Sequence, residues 1–206
     1  MTREAYRNSL QPRIEEAVAE LATVDPGELA ARNGAQPVGD GLEFEFLGRR
    51  YHVARPSFEV RTVGGEPCAE ELRILLLDYL RSGDGSRPVG RWIGYQELPE
   101  GAFYRRAFQG YTGDQLVRDL AGDIDAFRRA ARALAGEAVP EIGDAAYAFR
   151  VLPRVLLAVV WWAGDDEFPA NATVLFDEAA GRYLPADGLA ALGRMLCGRL
   201  AKAGTS

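Results

Sequence analysis

The chain has 206 residues, 48% of them apolar and 26% charged, with a formal net charge of -6. That composition calls for a folded core and leaves no basic stripe to displace counterions from nucleic-acid phosphates. Its single histidine, His52, and single lysine, Lys202, exclude a His-rich zinc site and a Walker-type or Schiff-base lysine in the folded body, and leave a His-based triad only His52 to draw on.

Two cysteines, Cys68 and Cys197, are too few and too far apart for a disulfide framework or a thiolate metal site. The longest apolar run, Val155 to Ala163, falls well short of the roughly 20 residues a bilayer requires, and the N-terminus lacks the apolar region of a signal peptide. The expected location is the cytoplasm, with neither membrane nor nucleic acid as a partner.

Tyr6, Leu10, Ile14, Val18 and Leu21 recur at helical spacing, which predicts one amphipathic helix over residues 3–23 with Pro12 on its other face. Asp25 and Pro26 form an N-cap and first-turn pair, opening a short helix that Asn33 and Gly34 close. From Leu42 the period falls to two. Leu42, Phe44 and Phe46 alternate with Glu43 and Glu45, Gly48 and Arg49 turn the chain, and Tyr51 and Val53 flank His52. A loop of those two residues sets Phe46 opposite Tyr51, Phe44 opposite Val53 and Glu45 opposite His52. A third strand over 58–63 and a helix over 69–81, with Leu72, Leu75, Leu76, Tyr79 and Leu80 on one face, complete this part.

Residues 82–122 read as an irregular connection containing a strand at Trp92 to Leu98. Thr112 and Gln115 suggest a capping box for a short helix, Asp123 caps a second, and Gly136 ends that one. Gly143 and Asp144 followed by YAFRVLPR then echo Gly39 and Asp40 followed by LEFEFLGR. Val155 to Trp162 is apolar at both parities, the pattern of a strand buried on both faces, and the stretch Tyr147 to Asp177 holds the central strands. The expected fold is α+β: a mainly antiparallel sheet of about six strands flanked by helices, in one globular domain over 1–206. It is built from two related α-β-β-β-α halves, about 25–81 and 123–203.

Leu152, Pro153 and Arg154, then Trp162, Gly164, Asp165, Glu167, Phe168 and Pro169, then Leu175, Phe176, Asp177, Tyr183, Leu184, Pro185 and Asp187 carry a family resemblance. With the N-terminal helix and the RWIGYQELP stretch, they make nearly the whole chain resemble a family of anaerobic bacteria and archaea known as domain of unknown function 3786. Some members carry an additional cysteine-rich segment thought to bind an iron-sulfur cluster. This chain has no such cysteines, so the resemblance implies no cluster and only a loose association with anaerobic redox or corrinoid metabolism.

The candidate sites each have two readings. Trp92, Tyr95, Phe103, Tyr104, Phe108 and Tyr111 are interleaved with Arg91, Arg105 and Arg106. Trp92, Tyr95, Tyr104, Arg105 and Arg106 are the candidates for sandwiching a planar anionic ligand such as a tetrapyrrole or nucleotide; alternatively the aromatics pack between the halves. Asp165, Asp166, Glu167 and Asp177 form either a hard-cation site or a solvated acidic turn. His52 pairs with Glu45 on the surface or serves as a ligand or base, and Cys68, ahead of a helix, is either activated by the helix dipole or simply packed. The expected function is non-catalytic binding of a small ligand or cofactor of no determined identity, which the resemblance associates with tetrapyrroles or corrinoids and with anaerobic redox metabolism. A protein-interaction adaptor or homo-oligomeric module and a carboxylate-metal hydrolase are the alternatives.

Overall fold

The computed structural model describes residues 3–205, and side chains over 10–205. Its contacts divide into two compact units, one built mainly from residues 1–87 and the other mainly from residues 88–206.

In the first unit, α1 (Arg3–Ala22) packs against α3 (Glu70–Ser82), and α2 (Pro26–Asn33) leads into the strands β1 (Gln36–Val38), β2 (Gly41–Phe46), β3 (Arg49–Val53) and β4 (Val60–Thr62). Leu10, Ile14, Ala17 and Leu21 form the buried stripe of α1, and Pro12 lies on its exposed side. The Tyr6 expected on that stripe lies outside the described side chains. Arg13 reaches across to the buried Asp78 of α3 at 3.0 Å. The α2 termini follow from their residues: the Asp25 carboxylate accepts the Glu28 amide, and Gly34 takes the left-handed conformation at φ 65. Asn33 at the end of α2 is buried, its Nδ2 donating to the carbonyls of Leu29 and Leu80, while the Tyr79 hydroxyl donates to the Asn33 carbonyl at 2.5 Å.

The four strands form an antiparallel meander in the order β1-β2-β3-β4. The faces sort as expected, with Leu42, Phe44, Phe46, Tyr51 and Val53 buried, but the pairing differs by two residues. Phe44 faces Tyr51, Glu43 faces His52 and Phe46 faces Arg49. The turn is Leu47-Gly48, with φ 46 and 72, rather than Gly48-Arg49. Two positive φ values give the mirror-image turn that suits a twisted two-stranded ribbon, and the shift by an even number of residues keeps every side chain on its face. His52 therefore pairs with Glu43 at 3.5 Å, and Glu45 stands exposed.

The second unit contains β5 (Trp92–Gly94), α4 (Gly101–Tyr111), α5 (Gly113–Asp119), α6 (Ile124–Ala133), β6 (Glu137–Ala138), β7 (Ala145–Leu152), β8 (Val155–Trp162), β9 (Asn171–Asp177) and α7 (Ala186–Gly204). Its sheet runs β5-β9-β8-β7-β6, so β8 is central. Val155 and Leu157 to Trp161 are buried at both parities. Trp161 stacks on Phe127 of α6 with centroids 5.2 Å apart, whereas Trp162, on the other side of the strand, is 37% exposed. Asp123 caps α6 by accepting the amides of Asp125 and Ala126.

The expected single sheet of about six strands is replaced by two antiparallel sheets of four and five strands. The extra strands β1 and β6 are only 3 and 2 residues long, too short to show a period in sequence. The expected strand at 92–98 stops at Gly94 and continues as a single 3-10 turn, Tyr95–Glu97. Residues 101–111, read as irregular, are helical, and the expected capping box at Thr112 does not form: the Thr112 hydroxyl donates back to Phe108, and Gln115 donates to Asp119. Each sheet includes a meander of four consecutive strands that a helix precedes and a helix follows, α2 and α3 around β1 to β4, α6 and α7 around β6 to β9.

Candidate functional site

Within the second unit, the segment after β5 builds one wall of an open groove. Glu97 accepts the Gly94 amide at 2.6 Å and so closes the turn that presents Tyr95. Glu100 is held at φ 65, a conformation side chains rarely adopt, and Gly101 follows because a Cβ there would lie 1.9 Å from the Tyr95 carbonyl oxygen. α4 thus starts directly beneath Tyr95. The Tyr95 ring stacks on Phe108 with centroids 4.2 Å apart and planes at 15°, and Phe108 packs on Phe176 of β9. Tyr111 meets Phe108 edge-on at 5.8 Å.

α7 provides the opposite wall. The Tyr95 hydroxyl donates to the Ala186 carbonyl at 3.3 Å, and Gly193 lies close to Phe108, since a Cβ there would sit 3.0 Å from its ring. α4 and α7 therefore run side by side in the same direction. Between them is a cleft of about 550 Å³, with Tyr95, Tyr104, Ala107 and Tyr111 on one side and Ala186, Ala190 and Ala191 on the other. Its charged groups are Glu100, Asp187 and Arg194. No hydrogen bond or ion pair ties Glu100, Asp187 or Arg194 to another described side chain. Burial pushes the Tyr95 hydroxyl above its ordinary pKa, with Tyr111, Asp187 and Tyr104 adding to it. The Tyr111 hydroxyl is likewise raised by burial, and the nearby Arg194 guanidinium opposes that rise. Tyr95 and Tyr111 are therefore neutral donors at ordinary pH.

Of the five ligand candidates read from sequence, the structure brings Tyr95 and Tyr104 into this cleft. Trp92 is half-buried in β5, opposite Asp177 on β9, and does not line it. Arg105 and Arg106 are exposed on α4 and do not line it either. Successive helical residues point about 100° apart, so Tyr104, Arg105 and Arg106 cannot share one face. Arg194, Asp187 and Glu100 were missed. Asp187, Ala190, Ala191 and Arg194 follow i, i+3, i+4, i+7 spacing, which marks one face of a helix and was the available signal.

The acidic residues separate into two structural roles. The Asp165 carboxylate accepts the amides of Glu167 and Phe168, and these bonds, the one to Phe168 first, hold its pKa below the usual carboxylate value. Asp166 and Glu167 are exposed in the same turn. Asp177 is buried at the far end of β9, where it accepts the amides of Val89, Gly90 and Ala179. The length of β9 places about 20 Å between its ends. Among the described residues no group of three or more His, Cys, Asp or Glu side chains could hold a metal ion.

Cys68 has its pKa raised, because burial outweighs its backbone hydrogen bond and the charge of Arg73, which agrees with the packed reading and not with activation by the helix dipole. Cys197 is buried in α7 and pushed up to about 12. Among the described residues no helix is long and apolar enough to cross a membrane.

An α+β protein with a tyrosine-walled groove beside its five-stranded sheet is thus defined by geometry alone. The family model for Domain of unknown function (DUF3786) matches residues 25–199, and the chain belongs to that family. No curated protein and no solved structure matches it.

Proposed function

We propose that this protein is a non-catalytic binder of a small organic ligand, held in the groove between α4 and α7. One observation carries the reading: three tyrosines and three charged side chains line an open cleft of about 550 Å³, a volume within the usual range for small-molecule sites. Alanines on the α7 side leave that space unfilled. Ala107→Trp tests the reading, because Ala107 is exposed on α4 and a larger side chain there fills the groove without disturbing the core. The wild-type protein, purified gently, should carry or take up a small molecule seen by native mass spectrometry and raise its melting temperature with it; the variant should fold normally and lose that rise. Retention of the ligand by the variant would remove the groove from consideration.

A protein-interaction surface is the second reading, favoured by Phe103, which is 89% exposed on α4. In that case Phe103→Ser would change the sedimentation of the protein with its partner and leave small-molecule uptake intact. The cytoplasm is the working location in both readings, on the strength of the two unpaired thiols. We also read the two four-stranded meanders as copies of one ancestral half, supported by their common order of helix, strands and helix and by the Gly39-Asp40 and Gly143-Asp144 echo. Aligned halves from other family members should share buried positions, and random agreement there would refute the duplication.

A further inference from the structure

Charge is distributed unevenly along the groove. At the end where both helices begin stand Glu100, the residue preceding α4, and Asp187 in the first turn of α7. At the other end Arg194 lies within electrostatic reach of Tyr111, the last residue of α4. Asp187 and Arg194 are seven positions apart on one face of α7, which puts their Cα atoms about 10 Å apart along the axis. The two form no ion pair with each other or with any other described residue. Ala190 and Ala191 lie between them as an apolar floor, and Tyr95, Tyr104 and Tyr111 face that floor from the opposite wall.

Resting on the ligand-binding reading above, we infer that the groove takes an elongated zwitterion, an ω-amino acid or short peptide, whose ammonium group meets Asp187 and Glu100 and whose carboxylate meets Arg194. The chemistry at each end is complementary. An ammonium beside two carboxylates and near tyrosine rings gains both ion pairing and attraction to the ring faces. A guanidinium presents a planar fork that matches a carboxylate with two parallel hydrogen bonds. Methylenes or a peptide backbone in between would cover the alanine floor, and the Tyr104 and Tyr111 hydroxyls can donate to peptide carbonyls, the Tyr95 hydroxyl being engaged by Ala186. A flat anion with charge at one end leaves the two acids facing it, which is unfavourable. A short amino acid such as glycine cannot span from one charged end to the other.

The test is calorimetric titration of the intact protein with 6-aminohexanoate, triglycine, glycine, hexanoate, hexylamine and adenosine monophosphate. The expected order is 6-aminohexanoate and triglycine binding at least about tenfold more tightly than glycine, hexanoate or hexylamine, since each loses a charged contact or the span. Arg194→Gln and Asp187→Asn, both at exposed positions, should each weaken 6-aminohexanoate by about tenfold at unchanged melting temperature. Hexanoate or hexylamine binding as tightly as the zwitterion, or an unchanged affinity in Arg194→Gln, would overturn the inference. Binding of adenosine monophosphate in the groove without binding of the zwitterions would overturn it while leaving the small-ligand reading in place. If none of the six binds, the inference falls; Ala107→Trp then decides the broader reading separately.

Discussion

The two meanders bury their strands differently. In the first unit β3 runs from exposed Arg49 and Arg50 to buried Tyr51, half-buried His52 and buried Val53, the alternation of a sheet covered on one face. In the second unit β8 keeps Leu157 to Trp161 buried without a break. A strand covered on one side is held by the sorting of its faces. One covered on both sides is held by what packs above and below it, so its tolerance to change depends on that packing and not on alternation. That contrast can be broken by measurement.

The largest effect should come from Trp161→Ala, which empties the central strand next to Phe127 and costs about 3–5 kcal/mol of unfolding free energy in urea. Trp162→Ala, one residue on but at the sheet surface, should cost less than about 1 kcal/mol. A loss at Trp161 as small as that at Trp162 would mean that the Trp161 face of β8 is not covered. A smaller effect is expected where α5 presses on the second sheet: a Cβ at Gly113 would lie 1.9 Å from the Ala172 carbonyl oxygen, so Gly113→Ala should cost about 1–3 kcal/mol. Gly48→Ala in the hairpin of the first sheet meets open space and only the strain of φ 72, for about 1 kcal/mol. Thermal melts that reverse this order would show backbone strain, not close packing, to be the stricter constraint.

The smallest effect is a pH dependence at the start of α6. Hydrogen bonds from Ala126 and Asp125, with Arg129 adding charge, hold the Asp123 carboxyl below the usual carboxylate value. A depressed folded-state pKa gives a stabilisation that is fully present above the unfolded-state value and is lost as pH falls through the folded-state value. The melting-temperature gap between wild type and Asp123→Ala should therefore be full near neutrality and close below about pH 4. A gap that persists unchanged to the lowest pH at which the protein folds would assign the cap to neutral hydrogen bonding alone.

Much of the sheet structure was legible, and for specific reasons. β8 declared itself because its apolar residues ignore parity, and the faces of β2 and β3 followed from alternation. Their pairing slipped by two because Leu47 takes a positive φ that nothing in its chemistry announces. α4 was hidden by Gly101 and Gly110 at its ends and by aromatic residues spread over more than one face, including exposed Phe103 and Tyr104 and buried Phe108. The groove was half legible. Tyr95 and Tyr104 stood out as aromatics in a segment without period, but their companions Asp187 and Arg194 lie in another helix far along the chain, and only packing brings them together. Asp177 looked like a ligand because acids near a turn often are; its burial and three backbone amides give it a structural role that sequence spacing does not encode.

The Trp161 indole Nε1 is fully enclosed and has no acceptor among the described residues, while its neighbour Trp162 reaches water. An indole proton sealed in without a hydrogen bond is shielded from solvent by the surrounding side chains alone, so it can trade with deuterium only when the sheet and its covering helices part. The adjacent indole, on the exposed side of the strand, should exchange faster. One pair of resonances, from consecutive residues of a single strand, thus reads out the opening free energy of the second unit against an internal zero.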